Sequence, residues 1–173
     1  LALSSVTTAQ IDEIIVTANK KEQTLQDIPM SVTVTSAEQI EQSAIVDLLD
    51  LQSAVPSLRM TQLQKTTETN FIIRGFGNGA NNPGIEGSVG VYIDGVYRSR
   101  SASAMADLPT IERVEVLAGP QTTLFGKNAS AGVISITTKL PDQEFGGSIE
   151  ATVGTYGSSI MKGTVTGGIT DTT

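Results

Sequence analysis

Ile111-Glu112-Arg113-Val114-Glu115-Val116-Leu117, Gly119-Pro120-Gln121, Leu124-Phe125-Gly126 and Ala131-Gly132-Val133-Ile134-Ser135-Ile136-Thr137-Thr138-Lys139 follow one another within residues 111–139. Arg113 to Leu117 and Gly132 to Thr138 read as strands, because β-branched residues dominate them. The glycines bounding Gly119 to Gly126 mark a turn region between the two. Just upstream, Val89-Gly90-Val91-Tyr92-Ile93 leads into Asp94-Gly95 and Val96-Tyr97. Asp-Gly between β-prone residues predicts a tight hairpin.

Working back toward the N-terminus, Phe71-Ile72-Ile73-Arg74-Gly75 reads as a strand behind a polar stretch, and Phe76 to Ser88 as a loop crowded with Gly, Asn and Pro. Met30, Val32 and Val34 alternate with Ser31, Thr33 and Thr35, the period of a half-buried strand. Ser36 is a natural N-cap and Gln39 completes a capping box. Ile40, Ile45, Leu48, Leu49 and Leu51 then fall at broadly helical spacing as far as Pro56, with Ser43 placed to cap a second helix. Two short helices are expected there, and a helical turn around Ala104–Leu108. Short strands mixed with short helices predict a small α+β domain.

From Glu144 the texture changes. Ile149, Ala151 and Val153 alternate with Glu150, Thr152 and Gly154; beyond Tyr156-Gly157-Ser158, Met161, Val165 and Ile169 share a face opposite Lys162, Thr164 and Thr166. Two such strands of about ten residues match transmembrane β-barrel strands, with Tyr156 suited to an interfacial girdle. An ordinary soluble hairpin gives the same alternation.

Composition narrows the function. The chain has no Cys and no His, which excludes thiol nucleophiles, imidazole bases and the usual zinc ligands. Its net charge of −7 is concentrated early: Asp12, Glu13, Glu22, Asp27, Glu38, Glu41, Asp47 and Asp50 face only Lys20 and Lys21 up to residue 58. Such a segment disfavours nucleic acid, which needs clustered cations, and suits a basic protein partner or simply a solvated face. Leu1 to Gln10 reads like the tail of a secretory signal. The sequence has no run of 18 apolar residues, so no transmembrane helix is expected.

Glycine-rich stretches offer no nucleotide site. In Gly75-Phe76-Gly77-Asn78-Gly79 the third Gly is misplaced for a dinucleotide loop, and Asn81-Asn82-Pro83-Gly84 forbids a smooth helix start. Gly119 to Gly126-Lys127-Asn128 has the wrong glycine spacing for a phosphate loop and lacks its hydroxyl. Glu112 and Glu115, three apart on a strand, should face opposite sides rather than converge as an acid–base pair, unless Glu112 lies in a turn. Arg98 and Arg100 should share a strand face, where they suit an anionic ligand or a solvated sheet edge.

Taken together and in order, these stretches resemble the plug region of TonB-dependent outer-membrane receptors. Asp12-Glu13-Ile14-Ile15-Val16-Thr17-Ala18 is similar to the TonB box, Ile73-Arg74-Gly75 to the family's Ile-Arg-Gly, Val91 to Val96 to its hairpin, and residues 111–139 to its longest shared stretch. The resemblance covers roughly residues 11–142. It implies an α+β plug with a small mixed sheet and short helices, followed by the first antiparallel strands of a transmembrane β-barrel. The implied organisation is a signal remnant (1–9), TonB box and linker (10–28), plug (29–142) and incomplete barrel start (143–173).

The resemblance also implies roles. The TonB box residues Asp12, Glu13, Ile14, Ile15, Val16, Thr17 and Ala18 would form an extended arm on a polar linker, Asn19 to Asp27, and add a strand to periplasmic TonB. Phe76, Asn78, Asn81, Asn82, Arg98 and Arg100 would touch the ligand, and Arg74 would anchor the plug to the chain's own C-terminal barrel. Family members commonly carry Arg where this chain has Ala118, and Gly where it has Thr122, so only Arg74 carries the anchoring role over. The expected function is active uptake of a bulky scarce solute, foremost a ferric siderophore, with no catalysis, cofactor or metal site. A ligand-sensing signalling receptor of the same architecture and a soluble periplasmic α+β enzyme are the alternatives.

Overall fold

The computed structural model describes residues 15–16, 23–43, 45, 47–65, 68–77, 84–100 and 110–168. They fall in two compact units, Leu1–Thr138 and Lys139–Thr173. The helical turn expected at Ala104–Leu108 lies outside the described residues, as does Leu1 to Gln10.

In the first unit, β1 (Ile15–Val16) and β2 (Gln23–Thr24) form a two-residue ladder, followed by a 3-10 turn at Leu25–Asp27. The linker reading of Asn19 to Asp27 is corrected here: its second half is a strand and a turn, because Leu25 is half-buried against a hydrophobic cluster that includes Ile28. β3 (Val32–Ser36) runs into α1 (Ala37–Gln42) through the expected capping box, in which the Gln39 N–H donates to Ser36 Oγ at 3.4 Å and the Ser36 N–H to Gln39 Oε1 at 3.1 Å. Ser43 does not cap a second helix. It ends the first, and α2 (Leu51–Ala54) follows a turn in which the Asp50 N–H donates to Asp47 Oδ1 at 3.0 Å. Val55 leaves the helix in extended conformation, as a residue before Pro56 must.

β4 (Leu58–Gln62) lies in the stretch read as merely polar, where the buried Leu58 and Met60 alternate with exposed Arg59 and Thr61. It pairs with β5 (Thr69–Ile73). The strand expected to reach Gly75 stops at Ile73, since Arg74 and Gly75 take φ of 51° and 83° and turn the chain back. Ile73 and Phe76 close that turn with two backbone hydrogen bonds of 2.9 Å, the two-residue geometry of a primed hairpin turn. β6 (Val89–Ile93) and β7 (Val96–Arg98) form the predicted hairpin, with φ of 49° at Asp94 and 76° at Gly95. β8 (Ile111–Ala118) extends the expected strand at both ends. The turn region contains a one-turn helix, α3 (Thr122–Phe125), and β9 (Gly132–Thr138) has the predicted bounds.

Five strands join in the order β3-β8-β9-β6-β7, antiparallel throughout except for the parallel pair β6–β9. Both faces are covered, which explains the near-continuous apolar runs of β8 and β9. One face presents Val91, Ile93, Val114, Val116, Ile134 and Ile136 to α1, α2 and the β4–β5 pair, whose Ile40, Leu51, Leu58, Phe71 and Ile73 complete the larger core. Burying each large aliphatic side chain there contributes about 1.5–3 kcal/mol. The other face carries Tyr92, Leu117 and Val133, which cluster with Val16, Ile28 and Ala129. Gly132 sits where this packing is tightest: a Cβ there would lie 2.4 Å from the Leu117 carbonyl oxygen and 2.7 Å from Ile73 Cδ1.

The second unit is a long hairpin. β10 (Gly146–Val153) pairs antiparallel with β11 (Ser159–Thr166) in a register that sets Ala151 opposite Met161. Ile149, Val153, Met161 and Val165 share one face and are each at least 80% exposed. On the other, Ser148 and Thr164 hydroxyls meet at 2.7 Å. Tyr156 stands fully exposed in the turn.

Candidate coupling strand and ligand-facing turns

Of the coupling segment, Ile15 and Val16 are described; Asp12, Glu13, Ile14, Thr17 and Ala18 lie outside the described residues. Ile15 pairs with Thr24 and Val16 with Gln23. Val16 is completely buried in the cluster with Ile28, Tyr92, Leu117 and Val133. The described part of the arm is therefore docked against the plug rather than projecting from it. Among the described residues, Val16 is the apolar contact that pegs this strand to the sheet face.

The turn residues Arg74 and Phe76 project from a rigid support. Arg74 Nη2 donates to Ser31 Oγ at 2.6 Å, joining the turn to the segment that leads into β3. Ser31 also accepts the Ala118 N–H through its carbonyl at 3.0 Å, so one residue links the Arg74 side chain to the end of β8. Phe76 is 73% exposed although its backbone is bonded both ways to Ile73. Gly77 is required next to it, because a Cβ would come within 2.6 Å of the Phe71 carbonyl oxygen. Asn78, Asn81 and Asn82 lie outside the described residues.

Arg98 and Arg100 are not strand neighbours, since β7 ends at Arg98. Arg98 is half-buried, its Nε–H without a hydrogen-bond partner among the described residues, beside a water-sized cleft lined by Asn70, Phe71 and Ser99. Arg100 is exposed.

Three features escaped the sequence reading. Tyr92 stacks edge-on against Phe125 with ring centres 5.0 Å apart, and its hydroxyl donates to the Phe125 carbonyl at 2.6 Å. Burial, and then the neighbouring Tyr97, raise the Tyr92 phenol above its ordinary pKa. Tyr97 accepts from Asn128 Nδ2 at 2.7 Å. On the exposed rim, Lys127 donates to Glu86 at 2.7 Å, a bond that holds the Glu86 carboxyl below its ordinary pKa and lifts that of Lys127.

Second, Asp94 in the hairpin turn accepts from the Thr138 N–H and hydroxyl, both at 2.8 Å, and fastens the turn to the end of β9. Third, a bulge between Ile111 and Arg113 upsets the alternation used to separate Glu112 from Glu115. Both meet Arg113, Glu112 at 2.6 Å and Glu115 at 2.9 Å, so they share a cation instead of facing opposite ways. Glu115 is fully buried and Arg113 largely so. The signal missed was the four-residue run Glu112-Arg113-Val114-Glu115 with its cation between two acids, which alternation alone cannot arrange. Among the described residues no group of three or more His, Cys, Asp or Glu is placed to hold a metal ion.

Comparison with known proteins accounts for this arrangement. Residues 24–133 match the model of the TonB-dependent Receptor Plug Domain. The chain is 35% identical over 132 residues to the Vitamin B12 transporter BtuB of Vibrio vulnificus (strain CMCP6), covering 73% of this chain and 20% of that protein. It is 31% identical over 175 residues to the Pesticin receptor of Yersinia pestis, covering 98% of this chain and 25% of that one. The crystal structure of the ferric yersiniabactin uptake receptor FyuA from Yersinia pestis superposes with a TM-score of 0.75 at 30% identity, over 82% of this chain and 22% of that one. The chain thus spans a quarter or less of the length of these relatives. The chain belongs to the TonB-dependent receptor plug-domain family of the bacterial outer membrane.

Proposed function

We propose that this chain is the stopper and energy-coupling region of an outer-membrane transporter that takes up a bulky scarce solute, foremost a ferric siderophore. The role is transport, not catalysis. The relatives' printed descriptions support the solute class: a vitamin B12 transporter, a pesticin receptor and a ferric yersiniabactin uptake receptor. In this reading residues 10–28 couple, 29–142 plug the lumen, and 143–173 open the barrel. TonB takes the segment Asp12 to Ala18 as an added strand, where main-chain hydrogen bonds supply affinity. Arg74 holds the plug to barrel acids, and Phe76, Asn78, Asn81, Asn82, Arg98 and Arg100 contact the ligand.

The observation that carries the reading is the docking of Ile15–Val16: a β-prone strand that pairs with Gln23–Thr24 and lays the buried Val16 on one face of the sheet. Such a strand can exchange its intramolecular partner for a strand of TonB, one set of main-chain hydrogen bonds replacing another. Ile15→Pro removes a backbone donor and strains the strand. Loss of TonB binding and of uptake, with ligand binding retained, is the expected result; unchanged TonB binding and uptake would overturn the assignment.

A further inference from the structure

The sheet face beneath the coupling segment is not uniformly apolar. Register places Val34, Glu115, Ser135, Tyr92 and Tyr97 in one row across β3, β8, β9, β6 and β7. Glu115 therefore lies on the same face as Tyr92 and, two residues along its strand, Leu117. Both of these share the cluster of Val16, Ile28, Leu25 and Met30. Val16, Leu25, Ile28 and Met30 of the leading segment cover this face together with Phe125 and Ala129, and Glu115 on the same face is 0% exposed.

A carboxylate held this way is under tension between two terms. Arg113, one of its partners, offsets its charge at 2.9 Å and is itself shared with Glu112. Desolvation acts in the opposite direction, and for buried ion pairs it commonly equals or exceeds the Coulombic gain. An apolar residue at 115 would complete the core between Leu117 and Val34 without that penalty. Water returns to Glu115 when the leading segment lifts, so hydration of the carboxylate favours the lifted state.

We propose that Glu115 is a built-in release element: a buried acid under the coupling segment whose hydration on undocking keeps that segment detachable. The inference deepens the coupling reading by naming a residue that regulates access to the strand TonB takes. It gives a role to the charged residue in the face on which Val16 docks, where a fully apolar face would hold the segment more tightly. Arg113 acts with it as the positioning partner that keeps the docked state accessible at all.

The test uses the full-length receptor in membranes, without TonB and without ligand, so that its failure leaves the coupling reading untouched and failure of TonB binding leaves this inference untouched. Carbodiimide labelling of carboxylates is followed residue by residue in the native receptor and in Val16→Asp, which expels the peg. Glu115 should be protected in the native protein and in Val16→Asp react roughly tenfold faster, approaching the exposed Glu41, as expected for a buried charge returned to water. Protection unchanged in Val16→Asp would overturn the proposal. In a second arm, a spin label at Thr17→Cys reports the undocked fraction, and Glu115→Met should lower it roughly fivefold or more, the range seen when buried ion pairs are replaced by apolar residues. An unchanged or larger undocked fraction would mean that Glu115 holds the segment or is indifferent to it, and would equally refute the idea.

Discussion

β8–β9 and β10–β11 are both antiparallel pairs of seven- to eight-residue strands rich in β-branched residues, yet their apolar side chains meet opposite fates. In the first pair Val116, Leu117, Val133, Ile134 and Ile136 are all within 1% of full burial. In the second, Ile149, Val153, Met161 and Val165 are at least 80% exposed. The difference lies in periodicity. β8 and β9 carry apolar residues on both faces, because α1, α2 and the β4–β5 pair cover one, and the leading segment with Phe125 and Ala129 the other. β10 and β11 place Ile149, Val153, Met161 and Val165 on one face, which their own unit does not cover. Strict alternation with an unsheltered apolar face is what a lipid-facing strand requires.

Breaking the first pair should have the largest effect. Gly132→Ala forces a methyl onto the Leu117 carbonyl, and Ile136→Ala empties a site that is 0% exposed. Each should destabilise the plug by about 2–5 kcal/mol, read from denaturant unfolding of the receptor in micelles. Met161→Lys makes the sharper comparison: plug unfolding should be unchanged, while folding of the receptor into bilayers should weaken by about 2–4 kcal/mol if the site lies near mid-membrane. Equal effects of Ile136→Ala and Met161→Lys on plug unfolding would erase the distinction drawn between the two pairs.

The parts of this fold written in local chemistry were legible in the sequence. The Ser36–Gln39 capping box, the Asp94-Gly95 turn and the bounds of β9 depend on a few adjacent residues, and the structure shows all three. What was not legible depends on distant partners. β4 looked polar because only Leu58 and Met60 mark it, and β2 exists only through its pairing with β1. The Arg74-Gly75 turn was hidden because Arg rarely adopts positive φ. Burial of Val16, and with it the docked state of the coupling strand, follows from tertiary packing that no window of sequence contains.

Smaller effects refine the picture. Asp94→Ala removes two hydrogen bonds to Thr138, at the end of the buried sheet, and should cost about 1–3 kcal/mol by the same unfolding assay. Arg100→Ala and Arg98→Ala should each weaken binding of an anionic chelate, the exposed Arg100 more than the half-buried Arg98; equal losses would mean that burial does not limit the Arg98 contact. Glu86→Gln breaks a solvent-exposed pair with Lys127, and no change in thermal midpoint is expected.

The most direct test of the account is mechanical. A TonB fragment bound to the membrane-embedded receptor is drawn back while extension is recorded. Release of the segment from Val16 to Ser31 should come first, as a low-force step on the order of 50 Å at about 3.5 Å per residue, with the five-stranded sheet still folded. A first event that already unravels β8 or β9 would contradict it, as would a coupling strand that never leaves its place.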